Sequence, residues 1–257
     1  MLVDSHCHID FADPDQRQGL IARARAAGVR TMLTIGTKAD ELGEVVAIAA
    51  GDPDIWATVG IHPHEADATP DSILGRLDEL TAHPKVVGIG ETGLDFHYDH
   101  SPRGRQAEMF RAQCRVARAA GLPLVVHSRN ADTETVAILK EEGVSSGVIH
   151  CFSTSRALSE PALALGFHIS ISGIVTFKNA DELRSIVPEI PLDRLLIETD
   201  APFLAPVPLR GKTNEPSFIV HTAAKVAELK GISVEDLGRA TTDNFFRLFA
   251  RAVRPAA

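Results

Sequence analysis

Short apolar runs alternate along this chain with longer stretches in which apolar positions recur at helical spacing. The runs predict strands at Met1–Ile9, Arg30–Ile35, Ile55–Ile61, Val86–Ile89, Leu124–Val126, Gly147–Ile149, His168–Ile171 and Leu195–Ile197. Amphipathic segments between them predict helices, among them Gln16–Ala27, Gly104–Ala120, Ala131–Glu142 and Ser155–Leu165. Each of these four is followed by glycine (Gly28, Gly121, Gly143, Gly166), the residue that accepts a left-handed helix C-cap without strain. Further helical segments are expected at Glu215–Lys230, Val234–Ala240 and Thr242–Ala250. Apolar strands alternating with helices indicate a parallel sheet covered on both faces. Eight strand-then-helix units favour closure into one α/β domain, a (β/α)8 TIM barrel spanning residues 1–257.

The ends of the strands carry the chemistry. Asp4-Ser-His6-Cys-His8, Gly90-Glu91, Val126-His127-Ser128, Ile149-His150-Cys151 and Ile197-Glu198-Thr-Asp200 each stand where an apolar run ends. In a barrel these ends converge on one face, where active sites are built. His6 and His8 are two residues apart, so on a strand both imidazoles face the lumen while Cys7 faces out. Paired imidazoles are ready ligands for a divalent metal, and Asp4 is placed to accept a hydrogen bond from one of them. Glu91 ends a buried strand, where an unpaired carboxylate would be costly, and its two oxygens could bridge two ions. His127 and His150 close two further strands, and Asp200 is placed both to ligate and to take a proton from water. The expected metal ligands are therefore His6, His8, Glu91, His127, His150 and Asp200, with Glu91 and Asp200 also catalytic. His62, after the third strand, and Arg129, two residues beyond His127, are expected to contact an anionic substrate group. Arg210-Gly-Lys212 adds a short basic segment near the same rim. Glu198 is assigned no catalytic role, and Cys151 is expected to pack rather than react.

Composition narrows the substrate. The chain has 34 acidic and 26 basic residues and a net charge of -8, so it lacks the broad basic surface of a protein that coats nucleic acid. Only 5% of residues are aromatic, which predicts no large platform for stacking bases. Its 3 cysteines are an odd number with no scaffold spacing, as expected in a reducing compartment. With no leader-like start and no stretch of about 20 apolar residues, the expectation is a cytoplasmic protein without a membrane span.

The same stretches resemble the TatD family of metal-dependent deoxyribonucleases within the amidohydrolase-like superfamily. The resemblance covers Asp4–His8, Gly60-Ile-His-Pro-His64, Gly90-Glu-Thr-Gly-Leu-Asp95, Val126-His-Ser-Arg129, His150-Cys-Phe-Ser153, Ile197-Glu-Thr-Asp-Ala-Pro202 and Arg210-Gly-Lys-Thr-Asn-Glu-Pro216. It implies a TIM barrel holding two divalent cations, magnesium or manganese with zinc as a third option. It also implies 3′-to-5′ hydrolysis of DNA phosphodiester bonds at single-stranded or 3′-overhanging ends. The family's ligand positions fall on the six residues already chosen, and His62 matches a position near the substrate phosphate. Asn130 and Thr154 depart from the common pattern, which has an acidic residue and a glycine there.

The expected arrangement has His6, His8 and Asp200 on one ion, His127 and His150 on the other, and Glu91 between them. Asp200 would act as general base while His62 and Arg129 stabilise phosphate charge. The alternative keeps the site and changes the substrate to a small ester, lactone, amide or aminoacyl compound. No obligate protein partner is expected.

Overall fold

The computed structural model describes residues 1–255. Eight parallel strands succeed one another around a single sheet in chain order, with helices between them. The strands are β1 (Leu2–Cys7), β2 (Val29–Ile35), β3 (Ile55–Val59), β4 (Val86–Asp95), β5 (Leu124–Arg129), β6 (Gly147–Ile149), β7 (His168–Ile171) and β8 (Leu195–Ile197). The helices are α1 (Arg17–Ala26), α2 (Leu42–Ala50), α3 (Ile73–Thr81), α4 (Arg103–Ala120), α5 (Asp132–Glu141), α6 (Arg156–Ala164), α7 (Asp181–Ile186), α8 (Ile219–Lys230) and α9 (Val234–Leu248). This is the expected (β/α)8 TIM barrel. The four glycines expected beyond helix ends all have positive φ, from 63° at Gly143 to 93° at Gly166.

Closure between β1 and β8 is made chiefly by side chains and loop backbone. Ser5 Oγ donates to the Ile197 carbonyl (3.0 Å), and Thr199 donates to Asp4 through its amide (2.9 Å) and its hydroxyl (2.5 Å). The amides of Asp200 and His8 then donate to His6 O (2.9 Å) and Ala201 O (2.8 Å). Asp4 therefore clasps the seam. It accepts from the His6 amide, not from an imidazole, which corrects the role expected for it. Burial pushes its carboxyl up to about 7 despite the Thr199 hydrogen bonds.

One apolar cluster lies between strands and surrounding helices; a second fills the lumen. In the lumen Val3, Leu33, Val87, Val125, Val148 and Leu196 meet Phe245 and Leu248 of α9 and the adjoining Phe249, which together plug the barrel. The sequence pattern predicts a break in α9 at Thr241; the structure runs it unbroken, because Thr241 is buried and satisfies its hydroxyl on the Leu237 carbonyl one turn back.

Two of the strands carrying the site, β4 and β5, run longer than their apolar runs. β4 continues from Ile89 to Asp95, and its register against β5 shifts between Ile89 and Thr92. Such an irregularity re-aims a side chain, here Glu91. Glycine is required on either side of it. A Cβ at Gly90 (φ 142°) would lie 2.5 Å from the Val125 carbonyl oxygen, and one at Gly93 (φ 135°) 2.0 Å from that of His127. Among the described residues no helix is long and apolar enough to cross a membrane.

Candidate metal centre

All six expected ligands gather at the C-terminal mouth of the barrel. The Nε2 atoms of His6 and His8 face each other at 3.3 Å. Asp200 Oδ1 lies 3.5 Å from each, and Glu91 Oε2 lies 3.4 Å from His6 and 3.9 Å from His8. The other Glu91 oxygen faces a different set. Oε1 is 2.8 Å from His150 Nε2, 3.1 Å from His127 Nδ1 and 3.3 Å from His62 Nε2. One carboxylate thus presents one oxygen to each of two groups of imidazoles.

Two outer carboxylates orient the rings. Glu198 Oε1 lies 3.3 Å from His150 Nδ1 and also accepts the Cys151 amide at 2.7 Å. Asp95 Oδ2 lies 3.1 Å from His127 Nε2 and 3.0 Å from His64 Nε2. Each fixes a proton on the far ring nitrogen, so that loss of the other proton would free the nitrogen nearer Glu91 to ligate. Sequence reasoning gives Glu198 no role and Asp95 little weight. The signal for Glu198 is its position two residues before Asp200, on the same strand side; Asp95 is hidden because the apolar run of β4 ends well before the strand does.

His62 differs from its neighbours. Its Nδ1 accepts the His64 amide (3.1 Å), and burial pushes its pKa down to about 4. The ring is therefore neutral with its proton on Nε2, so it offers a donor rather than a lone pair. Its place beside Glu91 and His127 makes a third cluster of ligand-type atoms, but its tautomer suits a hydrogen bond to an anion better than ligation.

The carboxylates are ionised despite burial. Burial, the largest influence on each, pushes Glu91, Asp200 and Asp95 up, but neighbouring imidazoles outweigh it. For Glu91 the His150 and His62 imidazoles beside it and hydrogen bonds from His127 and His150 hold it well below the usual range. Burial disfavours charge on His8, His127 and His150 too, yet Asp200, Asp95, Glu91 and Glu198 draw protons onto them. For His6 burial wins, and its pKa falls. The pocket's negative potential calls for positive charge, and its donor atoms lie within 4.8 Å of one another in each cluster. The facing Nε2 atoms of His6 and His8 with two carboxylate oxygens beside them form a compact set of nitrogen and oxygen donors, while both Nδ1 atoms are buried without a hydrogen-bond partner. Divalent cations fit this donor set.

The remaining residues singled out from sequence lie around the mouth. Arg129 is exposed at the end of β5 with its guanidinium 4.7 Å from the Tyr98 ring centre. Arg210 sits 3.9 Å over Phe177, and Lys212 is exposed. Cys151 packs its sulfur 3.3 Å from Ser172 Oγ, and burial pushes its thiol well above the ordinary range, so it is no nucleophile. All three cysteines are free.

Residues 3–250 match the family model described as TatD related DNase. The chain is 41% identical over 252 residues to the "Uncharacterized metal-dependent hydrolase YabD" of Bacillus subtilis, covering 97% of this chain and 99% of that one. It is 39% identical over 247 residues to the "3'-5' ssDNA/RNA exonuclease TatD" of Cronobacter turicensis, covering 93% and 94%. The crystal structure of YjjV, a TatD homolog from Escherichia coli, superposes with a TM-score of 0.93 at 30% identity, covering 97% and 98%.

Proposed function

The chain belongs to the TatD-related DNase family of metal-dependent hydrolases, and we propose that it is a 3′-to-5′ exonuclease acting on single-stranded or 3′-overhanging DNA. The observation that carries this reading is Glu91, whose two oxygens face two separate groups of imidazoles. A bridging carboxylate of this kind serves the paired cations that hydrolyse phosphodiesters by in-line displacement. The name of the Cronobacter relative supports nucleic acid as the substrate.

His6, His8 and Asp200 would hold one cation and His127 with His150 the other, Glu91 serving both. When bound, the cations supply Lewis-acid polarisation of the phosphate and lower the pKa of water. Asp200, held ionised, accepts the proton of the attacking water. His62, neutral with its proton on Nε2, donates to a phosphate oxygen. Arg129, exposed beside Tyr98 at the rim, can clamp the same phosphate or its neighbour. Asp95 and Glu198 touch no substrate; they hold His127 and His150 in the ligating tautomer.

The deciding experiment strips the protein of metal, restores magnesium or manganese, and follows a 5′-labelled single-stranded oligonucleotide. The expected result is metal-dependent shortening from the 3′ end, absent in Glu91→Ala and Asp200→Asn of native-like circular dichroism. Bound metal with no shortening would overturn the nuclease reading and move the assignment to small esters, lactones, amides or aminoacyl compounds. Retained activity in either variant would overturn the roles of these residues.

A further inference from the structure

Among the described residues, Phe11, Tyr98 and Phe203 are the exposed members of the phenylalanine, tyrosine and tryptophan set, at 41%, 52% and 49%, and all three stand at the mouth. Composition suggested no aromatic platform. The structure differs because a count says nothing of where rings gather.

Phe11 and Phe203 are attached directly to the metal centre. The Phe11 ring stacks on the His8 imidazole, with centres 4.9 Å apart and planes at 23°, and meets Phe203 edge to face at 5.9 Å. Phe203 also meets His8 edge-on at 6.1 Å. Each ring's backbone is tied three residues back to a candidate ligand, Phe11 N to His8 O (3.3 Å) and Phe203 N to Asp200 O (2.9 Å). Asn214, itself buried, secures the Phe203 carbonyl at 2.6 Å. Both rings are thus tied through their backbone to the site while remaining exposed.

Beside them lies a cavity of about 380 Å³, walled by both rings with Asp10, Lys38, Glu41 and Glu44. Asp10 Oδ1 and Glu41 Oε2 are buried without a hydrogen-bond partner. Lys38 Nζ pairs with Glu41 Oε1 (2.9 Å) and Arg17 with Glu44 Oε1 (2.6 Å), so the wall is of mixed charge, and the rings present flat apolar faces. A planar heterocycle can stack on these faces; an aliphatic ester or lactone cannot.

We propose that Phe11 and Phe203 form a stacking subsite for the nucleobase next to the scissile phosphate. The subsite deepens the nuclease reading and rests on it. It places the base on the His8 side of the mouth and sets substrate choice toward nucleotides over small esters. Stacking also explains how an acidic protein holds a polyanion without a basic stripe, since each stacked base adds affinity that does not depend on charge.

The test measures binding and cleavage separately on manganese-loaded protein. Binding is read by anisotropy, using labelled oligonucleotides whose last linkage is a hydrolysis-resistant phosphorothioate. One carries a normal 3′-terminal base, the other an abasic terminus. Wild type is expected to bind the base-bearing strand about tenfold more tightly. Phe11→Ala and Phe203→Ala should erase that preference while leaving abasic binding unchanged, and Phe203→Trp should keep it. A wild type without the preference, variants that retain it, or variants weakened equally on both strands would each overturn the subsite. Cleavage of the ordinary linkage tests the parent reading. Base preference without cleavage defeats the nuclease assignment and keeps the stack; cleavage without base preference defeats the stack alone; binding to neither strand defeats both.

Discussion

The two ends of the barrel lumen are built from the same strands and obey opposite rules. At the C-terminal mouth, imidazoles and carboxylates crowd within hydrogen-bond distance, each group's protonation set by its neighbours. At the other end Phe245, Leu248 and Phe249 close an apolar plug. The polar residue His168 stands apart there, on β7, buried with no well-formed hydrogen bond at either ring nitrogen. The contrast teaches that burial costs a polar group little when its neighbours supply compensating charge and much when they do not. Activity should therefore be lost at the mouth without loss of fold, and stability at the plug without loss of chemistry, as the division of labour in such barrels leads one to expect.

The largest separation should come from Glu91→Ala. Removing the one carboxylate shared by both imidazole groups is expected to lower kcat by at least about a thousandfold, beyond the ten- to hundredfold typical of an outer-shell partner, with circular dichroism unchanged. Unfolding of this variant at the wild-type temperature in place of lost turnover would erase the contrast. At the plug, Phe249→Ala should cost about 3–5 kcal/mol, lowering Tm by roughly 10 °C while kcat per folded molecule holds, both read on the same preparation.

A smaller effect concerns pH. Burial, reinforced by the charges of Arg194 and Arg247, lowers the His168 pKa to about 4, and the charge of Asp193 and contact with the Gly147 backbone offset only part of this. The unfolded chain takes up this proton near pH 6.5, the folded one only near pH 4. Stability from this group is thus full above about pH 6.5 and falls as pH drops toward 4, by up to about 3 kcal/mol. His168→Leu should flatten that part of the stability profile in denaturant titrations, and an unchanged slope would refute the account. Smallest are the outer carboxylates. Asp95→Asn and Glu198→Gln should each weaken metal binding by roughly ten- to hundredfold in calorimetry, with less effect on kcat at saturating metal. Equal loss at saturation would mean that these groups act on substrate instead.

Much of the mouth is legible along the chain because period-two alternation and position at a strand end are local properties. His6 and His8 face one way for the same reason that Cys7 faces the other, and Glu91, His127, His150 and Asp200 each stand at the end of an apolar run. What escapes that reading depends on partners distant in sequence. Asp4 resembles an imidazole acceptor until the end of β8 arrives and Thr199 claims it. Asp95 becomes an orienting group only because β4 extends beside β5, and Glu198 only because β6 delivers His150 to it.

Alternation of apolar runs with capped helices was enough to specify a (β/α)8 barrel, and polar residues at the ends of those runs were enough to nominate the side chains that gather at its mouth as candidate ligands. Periodicity fixes which way a side chain points relative to its own strand, and that information is carried by neighbours in sequence. Hydrogen-bond partnership, tautomer and the grouping of Phe11 with Phe203 required the closed barrel. They are set by distances between strands and loops as much as 195 residues apart, as between Asp4 and Thr199, and no local pattern encodes a distance of that kind.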